Sequence, residues 1–239
     1  MGGVPTRVTF GAAGTKAYVS NQSAQSVSII DVAAGVQQAL VPTVGDPVPL
    51  QVTADGTWLF VATNTNTLYR VDRATREAAG SMPLPATSHF MLLHPNDTLL
   101  YVATRDGGTV MEVNGRTMTN ARTFSLSGRP QALALSPDGS ELYVANERTN
   151  RVHVIDLRTG SAVASVPLEG GAFGLALGGN GTSLYASLLW DGKVAVIDRL
   201  TRQVVRTVVT GGLPRGVAVD AGTRLAIVAN EAGWVDLLR

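Results

Sequence analysis

The stretch "SPDGSELYVANERTNRVHVIDLRTGSAVASVPL", residues Ser136–Leu168, decides the fold because weaker copies of it lie on both sides along the chain. It contains a tight turn, an apolar strand, a polar loop, a second apolar strand, another turn and a third strand. Short β-branched strands bounded by Gly, Asp and Asn turns are typical of antiparallel β structure. The stretch is therefore predicted to be most of one antiparallel unit.

This unit recurs with a fixed period. An aromatic residue or Ile opens the same apolar strand in each copy, at steps of 41 or 42 residues: Tyr18, Phe60, Tyr101, Tyr143, Tyr185 and Ile227. A second series, which closes the following strand, keeps the same period: Asp31, Asp72, Asn114, Asp156 and Asp198. Four short strands per unit of about 40 residues indicate a β-propeller.

We predict an all-β fold, a six-bladed β-propeller in one domain that covers residues 1–239. The expected blades span residues 3–44, 45–85, 86–127, 128–169, 170–211 and 212–239. The last blade ends at "WVDLLR" and has only three of the four strands. Its outer strand is apolar and unpaired, which favours association with another strand. We expect either a second molecule or the short N-terminal stub to cover this edge.

Composition excludes several classes of partner and site. Lys and Arg number 19 against 18 Asp and Glu, with no long basic run, so no nucleic-acid partner is expected. No apolar run approaches the roughly 20 residues of a membrane span, so no membrane partner is expected. The absence of cysteine excludes disulfides and thiolate ligands. The start, "MGGVPTRVTF", lacks the features of a signal peptide.

The repeated motifs resemble those of the YVTN-repeat β-propellers. The resemblance lies in "YVSN" (Tyr18–Asn21), "YVAN" (Tyr143–Asn146) and "IVAN" (Ile227–Asn230), followed by strands such as "VHVID" (Val152–Asp156). The NHL-repeat propellers are the nearest alternative family. The resemblance implies a periplasmic or secreted protein and leaves the activity open, because similar propellers have different functions. Blades 3 and 5 depart from the pattern, with "YVATRDGG" and "YASLLWDG".

Functional residues are expected where the repeats differ. The start of the first strand and the end of the second lie at the same end of an antiparallel meander, and ring assembly gathers these ends at one mouth of a central channel. The first-strand positions there are Thr6, Val48, His89, Gln131, Phe173 and Arg215. The predicted ligand-binding residues are Gln131, Arg215, Asn146, Glu147, Asn230, Glu231, Asp106 and Trp190.

Two functions remain open for this site. The first is a propeller that binds a small polar ligand or a protein partner without a catalytic motif. The alternative is a propeller hydrolase of the lactonase, esterase or phosphotriesterase type, with water activated by a metal or by His89 as the catalytic base. Arg215 is expected to pair with an anionic group of the ligand, and Glu147 and Glu231 to hold a cation or orient the imidazole. No cofactor is evident in the sequence, and a divalent cation is the candidate.

Overall fold

The computed structural model describes residues 3–220, 222 and 225–238. These residues form 23 β-strands and one short 3-10 helix, arranged in five four-stranded antiparallel sheets and a last sheet of three strands. The predicted six-bladed, all-β propeller with a three-stranded last blade is confirmed. No helix within the described residues has the length and apolar character needed to cross a membrane.

The chain divides into two compact units, Met1–Thr123 and Phe124–Arg239, here called unit 1 and unit 2. The single-domain organisation stays a prediction. The strands of blades 1 to 3 are β1 (Pro5–Phe10), β2 (Lys16–Asn21), β3 (Ser26–Asp31), β4 (Val36–Pro42), β5 (Pro47–Val52), β6 (Trp58–Thr63), β7 (Thr67–Asp72), β8 (Ala78–Pro83), β9 (Ser88–Leu93), β10 (Leu99–Thr104), β11 (Thr109–Asn114) and β12 (Thr119–Ser125).

Blades 4 to 6 follow the same order. Their strands are β13 (Pro130–Leu135), β14 (Glu141–Asn146), β15 (Arg151–Asp156), β16 (Ser161–Pro167), β17 (Ala172–Leu177), β18 (Ser183–Leu188), β19 (Lys193–Asp198), β20 (Gln203–Val209), β21 (Pro214–Val219), β22 (Ala226–Asn230) and β23 (Trp234–Leu238). The 3-10 helix, Leu189–Asp191, lies between β18 and β19.

Within each unit the core lies between consecutive blades, because a four-stranded sheet cannot cover both of its own faces. In unit 1, Tyr18 of blade 1 packs with Leu50 and Val52 of blade 2. Phe60 of blade 2 packs with Met91 of blade 3 in the same manner. The periodic aromatic residues are thus buried by the first strand of the next blade, which explains their spacing.

The periodic acids and amide that end the third strands hold the following turns. The Asp72 carboxylate accepts hydrogen bonds from the backbone N–H of Ala74 and Thr75 at 2.7 and 3.0 Å. Asp156 accepts one from Thr159 N–H at 2.8 Å, and this bond lowers the pKa of its carboxyl. These side chains are engaged in turn formation.

A further acid stabilises the tight turn between the first and second strands. In blade 4, Asp138 accepts hydrogen bonds from the hydroxyls of Ser136 and Ser140, at 2.6 and 2.9 Å, and from the Ser140 N–H at 3.2 Å. These bonds lower the pKa of Asp138 to about 2. Asp55 occupies the equivalent position in blade 2, where bonds from Thr53 and Thr57 lower its pKa to about 2 as well.

The Asn of the YVAN motif closes the opposite end of the blade. Asn146 is fully buried, and its side-chain oxygen accepts hydrogen bonds from Arg129 N–H at 2.9 Å and Thr149 N–H at 3.2 Å. Its amide nitrogen donates to the Ser127 carbonyl at 2.9 Å. Asn146 therefore joins the turn before the first strand to the loop after the second strand.

The same connection exists elsewhere with variations. Asn230 accepts from Leu213 N–H at 2.8 Å and donates to the Gly211 carbonyl at 2.9 Å. In blade 2 the motif position is Thr63, and the next residue, Asn64, accepts a hydrogen bond from Asp46 N–H at 2.9 Å. The motif persists because it satisfies backbone groups in a turn that would otherwise be unpaired.

Blade 3 departs from the pattern at Glu112, which replaces an apolar residue of the third strand. Its buried carboxylate accepts hydrogen bonds from Arg122 Nε at 3.0 Å and from Nη2 at 2.6 Å. A bidentate ion pair of this kind satisfies a buried carboxylate that would be costly alone. Arg122 therefore compensates for the acidic residue at position 112 within the same blade.

Removal of the Asn146 side chain by Asn146→Ala is expected to destabilise the protein by about 2 kcal/mol, since buried backbone groups lose their partners. The measurement is the free energy of unfolding in urea. The matched control is Asn180→Ala in the exposed hairpin turn of blade 5, whose side chain accepts one hydrogen bond from Thr182 N–H. An equal loss in both variants would contradict a special role for Asn146.

Stability is expected to depend on the ionisation of Asp138. Its folded pKa lies below the ordinary value of 3.8, so its contribution is complete above the unfolded pKa. The contribution is lost as the pH falls through 3.8 to about 2. Asp138→Asn should lower the urea midpoint at neutral pH and leave it unchanged near pH 2. Glu77→Gln is the control, and an equal loss for Asp138→Asn at both pH values would be incompatible with this origin.

Candidate functional site

The first-strand positions predicted from the sequence share a backbone feature, which is a β-bulge. In blade 4, Pro130 pairs with Asn146 and Ala132 pairs with Ala145, so Gln131 has no opposite residue. The register shifts at the equivalent place in the other blades, and the shift falls at Thr6, Val48, His89, Phe173 and Arg215. A bulge redirects a side chain out of the regular alternation, and bulges are frequent beside functional sites.

In unit 2 the bulge of blade 4 meets the exit of its second strand. Gln131 is buried and donates from Nε2 to Glu147 Oε2 at 2.6 Å. The indole N–H of Trp190, from blade 5, donates to Glu147 Oε1 at 3.2 Å. Trp190 itself is exposed. We call Gln131, Glu147 and Trp190 the Glu147 platform; it joins residues from two blades around one carboxylate.

Blade 6 carries a second predicted pair. Arg215, at its bulge, forms an ion pair with Glu231, and its guanidinium lies over the Phe173 ring at 4.7 Å from the centroid. Phe173 is the bulge residue of blade 5, so this cation–π contact also joins two blades. The 3-10 helix that carries Trp190 packs against β21, the strand of Arg215.

Ser187 positions the backbone beneath these side chains. Its buried hydroxyl accepts a hydrogen bond from Gly174 N–H at 2.8 Å and donates to the Arg215 carbonyl at 2.8 Å. One hydroxyl therefore holds the bulges of both blades 5 and 6. We did not predict this residue; the available signal was a Ser in "YASL" where the YVAN motif has Ala.

The loop before blade 5 approaches Glu147 closely. A Cβ at Gly171 would clash with the Glu147 carbonyl, so the glycine permits β17 to enter beside the platform. Blade 5 departs from the repeat because it loses the motif Asn and gains Trp190. Trp190 is the residue that blade 5 contributes to the Glu147 platform.

Asn146 and Asn230 lie at the predicted end of their blades, each beside its Glu. Their side chains are used in the turn connections described above, and both are buried. We therefore place them beneath the site, as residues that hold the loops carrying Glu147 and Glu231. Their predicted contact with a ligand stays a prediction.

His89 and Asp106 lie in unit 1, which is described separately. His89 is partly buried, and its carbonyl accepts a hydrogen bond from Arg7 Nη2 at 3.3 Å. The Arg7 guanidinium lies over the Phe90 ring at 5.3 Å from the centroid. Asp106 is exposed and 3.9 Å from Arg105. The blade 3 bulge thus carries an imidazole beside an arginine–aromatic contact.

The hairpin end of unit 2 carries a group of charged residues. A cavity of about 360 Å³ lies there, bordered by Arg158, Arg199, Arg202, Glu141 and Asp156 among others. Glu141 accepts from Arg202 at 3.0 Å and from Arg199 at 3.3 Å, and also from the Tyr143 hydroxyl. Burial raises the pKa of Tyr143 to about 12. Arg199 and Arg202 therefore both bind Glu141, whereas Arg158 lies 3.9 Å from Asp156.

The acids and histidines of the described residues do not assemble into a group of three or more that could hold a metal ion. The divalent cation considered for the site stays a prediction.

Comparison with known proteins supports the fold. A hydrazine synthase structure from Kuenenia stuttgartiensis superposes with a TM-score of 0.70 at 17% sequence identity, covering 99% of this chain and 95% of that chain. No curated protein matches the sequence. The family profile of the YNCE-like β-propellers matches residues 96–224, more than half of the chain. The chain therefore belongs to the YNCE-like β-propeller family.

Proposed function

We propose that the chain is a binding propeller that takes a small polar ligand on the Glu147 platform of unit 2. The observation that carries this proposal is the arrangement around Glu147. A buried amide and an exposed indole from another blade both donate to its carboxylate. Such an arrangement fixes the carboxylate in one orientation while leaving an aromatic side chain open to a ligand.

The polar groups indicate which ligand chemistry fits. Glu147 Oε2 accepts a hydrogen bond from Gln131 and Oε1 accepts one from Trp190, and a carboxylate oxygen can accept more than one hydrogen bond. Arg215 faces Glu231, so an anionic ligand would have to displace that carboxylate. The platform therefore favours a ligand that brings donors, such as hydroxyl or ammonium groups, and an apolar ring face or methylene surface for Trp190.

The hydrolase alternative requires water activated by a metal or by His89 of unit 1, and it stays a prediction. An imidazole suits proton transfer near neutral pH. A binding role requires only the contacts that unit 2 supplies, which is why we favour it.

The proposal is tested by calorimetry with a panel of mono- and disaccharides, polyols and small amines. We expect at least one of these classes to bind to the wild type. Glu147→Gln and Trp190→Ala should each weaken that binding at least about tenfold, because each removes a group that contacts the ligand. The control is Glu77→Gln, which changes an exposed acid in unit 1 and should bind like the wild type.

Two results would contradict the proposal. One is a panel in which no compound binds. The other is binding that Glu147→Gln and Trp190→Ala leave within twofold of the wild type. Turnover of an ester, lactone or phosphotriester that is lost in His89→Ala and retained in Glu147→Gln would instead support the hydrolase alternative.

A further inference from the structure

A cavity of about 120 Å³ lies between blades 2 and 3, within unit 1, beside the tight turns of these blades. Its lining combines two aromatic rings with side chains of both charges: Trp58, Phe60, Asp55, Asp97, Arg70 and Arg116. Aromatic and convergent charged groups in a concave site are typical of small-molecule binding. The residues of the Glu147 platform are not among those that line it, so the two sites are separate.

Gly115, at the edge of the cavity, replaces a side chain that the other four-stranded blades carry. This position follows the acid or amide that ends the third strand: Val32, Arg73, Gly115, Leu157 and Arg199. In blade 5, Arg199 donates to the Glu141 carboxylate and the Tyr143 hydroxyl of blade 4, both at 3.3 Å. A Cβ at Gly115 would come within 2.7 Å of the Phe60 ring. The turn of blade 3 therefore lies against Phe60 without a side chain that fills the space beside it.

Arg70, from the third strand of blade 2, provides a fixed positive charge at the cavity. Its Nη1 donates to the Gly115 carbonyl at 3.2 Å and also to the Arg116 carbonyl, and its Nη2 donates to the Ala79 carbonyl at 3.2 Å. The guanidinium lies over the Trp58 ring, 4.6 Å from its centroid. Because these partners are neutral, they hold the guanidinium in place without cancelling its charge.

Two further side chains of the cavity, Arg116 and Asp97 of blade 3, keep most of their hydrogen-bonding capacity. Among the described residues, the Arg116 guanidinium has no hydrogen bond or ion pair. Asp97 Oδ2 accepts one bond, from Ala54 N–H at 2.8 Å, and that part of the chain supplies no other donor to the carboxylate. Asp55, in contrast, accepts bonds from its own turn through both oxygens. One guanidinium and one carboxylate are therefore available to a ligand.

The charges and the volume of the cavity select the kind of ligand. Two arginines and two aspartates balance, so a ligand with a single charge would be attracted by one pair and repelled by the other. A zwitterion can place an anionic group against Arg116 and a cationic group against Asp97. A closed cavity of about 150 Å³ holds benzene, so a cavity of about 120 Å³ admits only a small molecule.

We propose that the cavity between blades 2 and 3 binds a small α-amino acid, of the size of free glycine or alanine. The α-carboxylate pairs with Arg116, within the positive field of Arg70, and the α-ammonium pairs with Asp97. Trp58 and Phe60 provide the apolar surface on which the α-carbon and its substituent pack. This site adds a second ligand to the chain and does not depend on the Glu147 platform.

The test is calorimetric titration of the full chain with free glycine and L-alanine, at concentrations up to several millimolar. Acetate and methylamine, which each carry one of the two charges, are titrated beside them and should bind at least about tenfold more weakly. Asp97→Asn and Arg116→Gln should each weaken the binding of glycine at least about tenfold. Asp97→Asn keeps an oxygen that can accept from Ala54 N–H, so it preserves the contact between the two turns.

Arg76→Gln and Glu77→Gln are the matched controls. Both residues are exposed between the third and fourth strands of blade 2, and neither lines the cavity. These variants remove one charge of each sign from the neighbourhood and should bind glycine like the wild type. A thermal melt of each variant verifies that it is folded.

Three results would overturn the proposal. In the first, neither glycine nor alanine binds at several millimolar. In the second, Asp97→Asn and Arg116→Gln bind glycine like the wild type, which places the amino acid elsewhere on the chain. In the third, acetate binds as tightly as glycine, which makes the cavity a site for anions.

Discussion

Each blade of this propeller depends on its neighbour for burial. A four-stranded antiparallel sheet has two faces, and the aromatic residue of the second strand needs the first strand of the next blade to exclude water from it. Tyr18 and Phe60 satisfy this requirement within unit 1. The constraint explains why the sequence repeats at a nearly constant period, since an insertion inside a strand would misplace the aromatic residue.

At both ends of the blades, side chains form the hydrogen bonds that the backbone of the turns needs. At one end, carboxylates such as Asp72 and Asp138 accept the N–H groups of tight turns. At the other end, Asn146 and Asn230 connect two loops across each blade. These local devices set the positions of the strands, so the variable residues at the bulges and loops can differ without loss of the fold.

The architecture was predictable from the sequence because the same pattern of strands and turns occurs in every repeat. Six copies of one pattern place Tyr143 in a strand and Asp156 before a turn more securely than any single copy could. The convergence of Gln131 with Glu147 also followed from antiparallel register. The β-bulge at Gln131 did not, since a bulge is defined by pairing across strands and leaves no clear mark in one strand.

Contacts between blades were the least predictable part of the site. The hydrogen bond from Trp190 to Glu147 spans 43 residues of sequence and depends on a 3-10 turn that, among the described residues, occurs in blade 5 alone. The cavity beside Arg199 and Arg202 was missed for a related reason. These arginines resemble ordinary turn residues until the fold brings them both to Glu141.

The Ser187 hydroxyl has a consequence for communication within unit 2. Because one oxygen holds both Gly174 N–H and the Arg215 carbonyl, neither bulge can shift without straining the other. Blades 5 and 6 are thus mechanically coupled at the point where their variable side chains emerge. Ser20 makes a comparable bond to the Val48 carbonyl in unit 1, at 2.9 Å. In each unit, therefore, one serine hydroxyl ties the bulge of one blade to the bulge of the next.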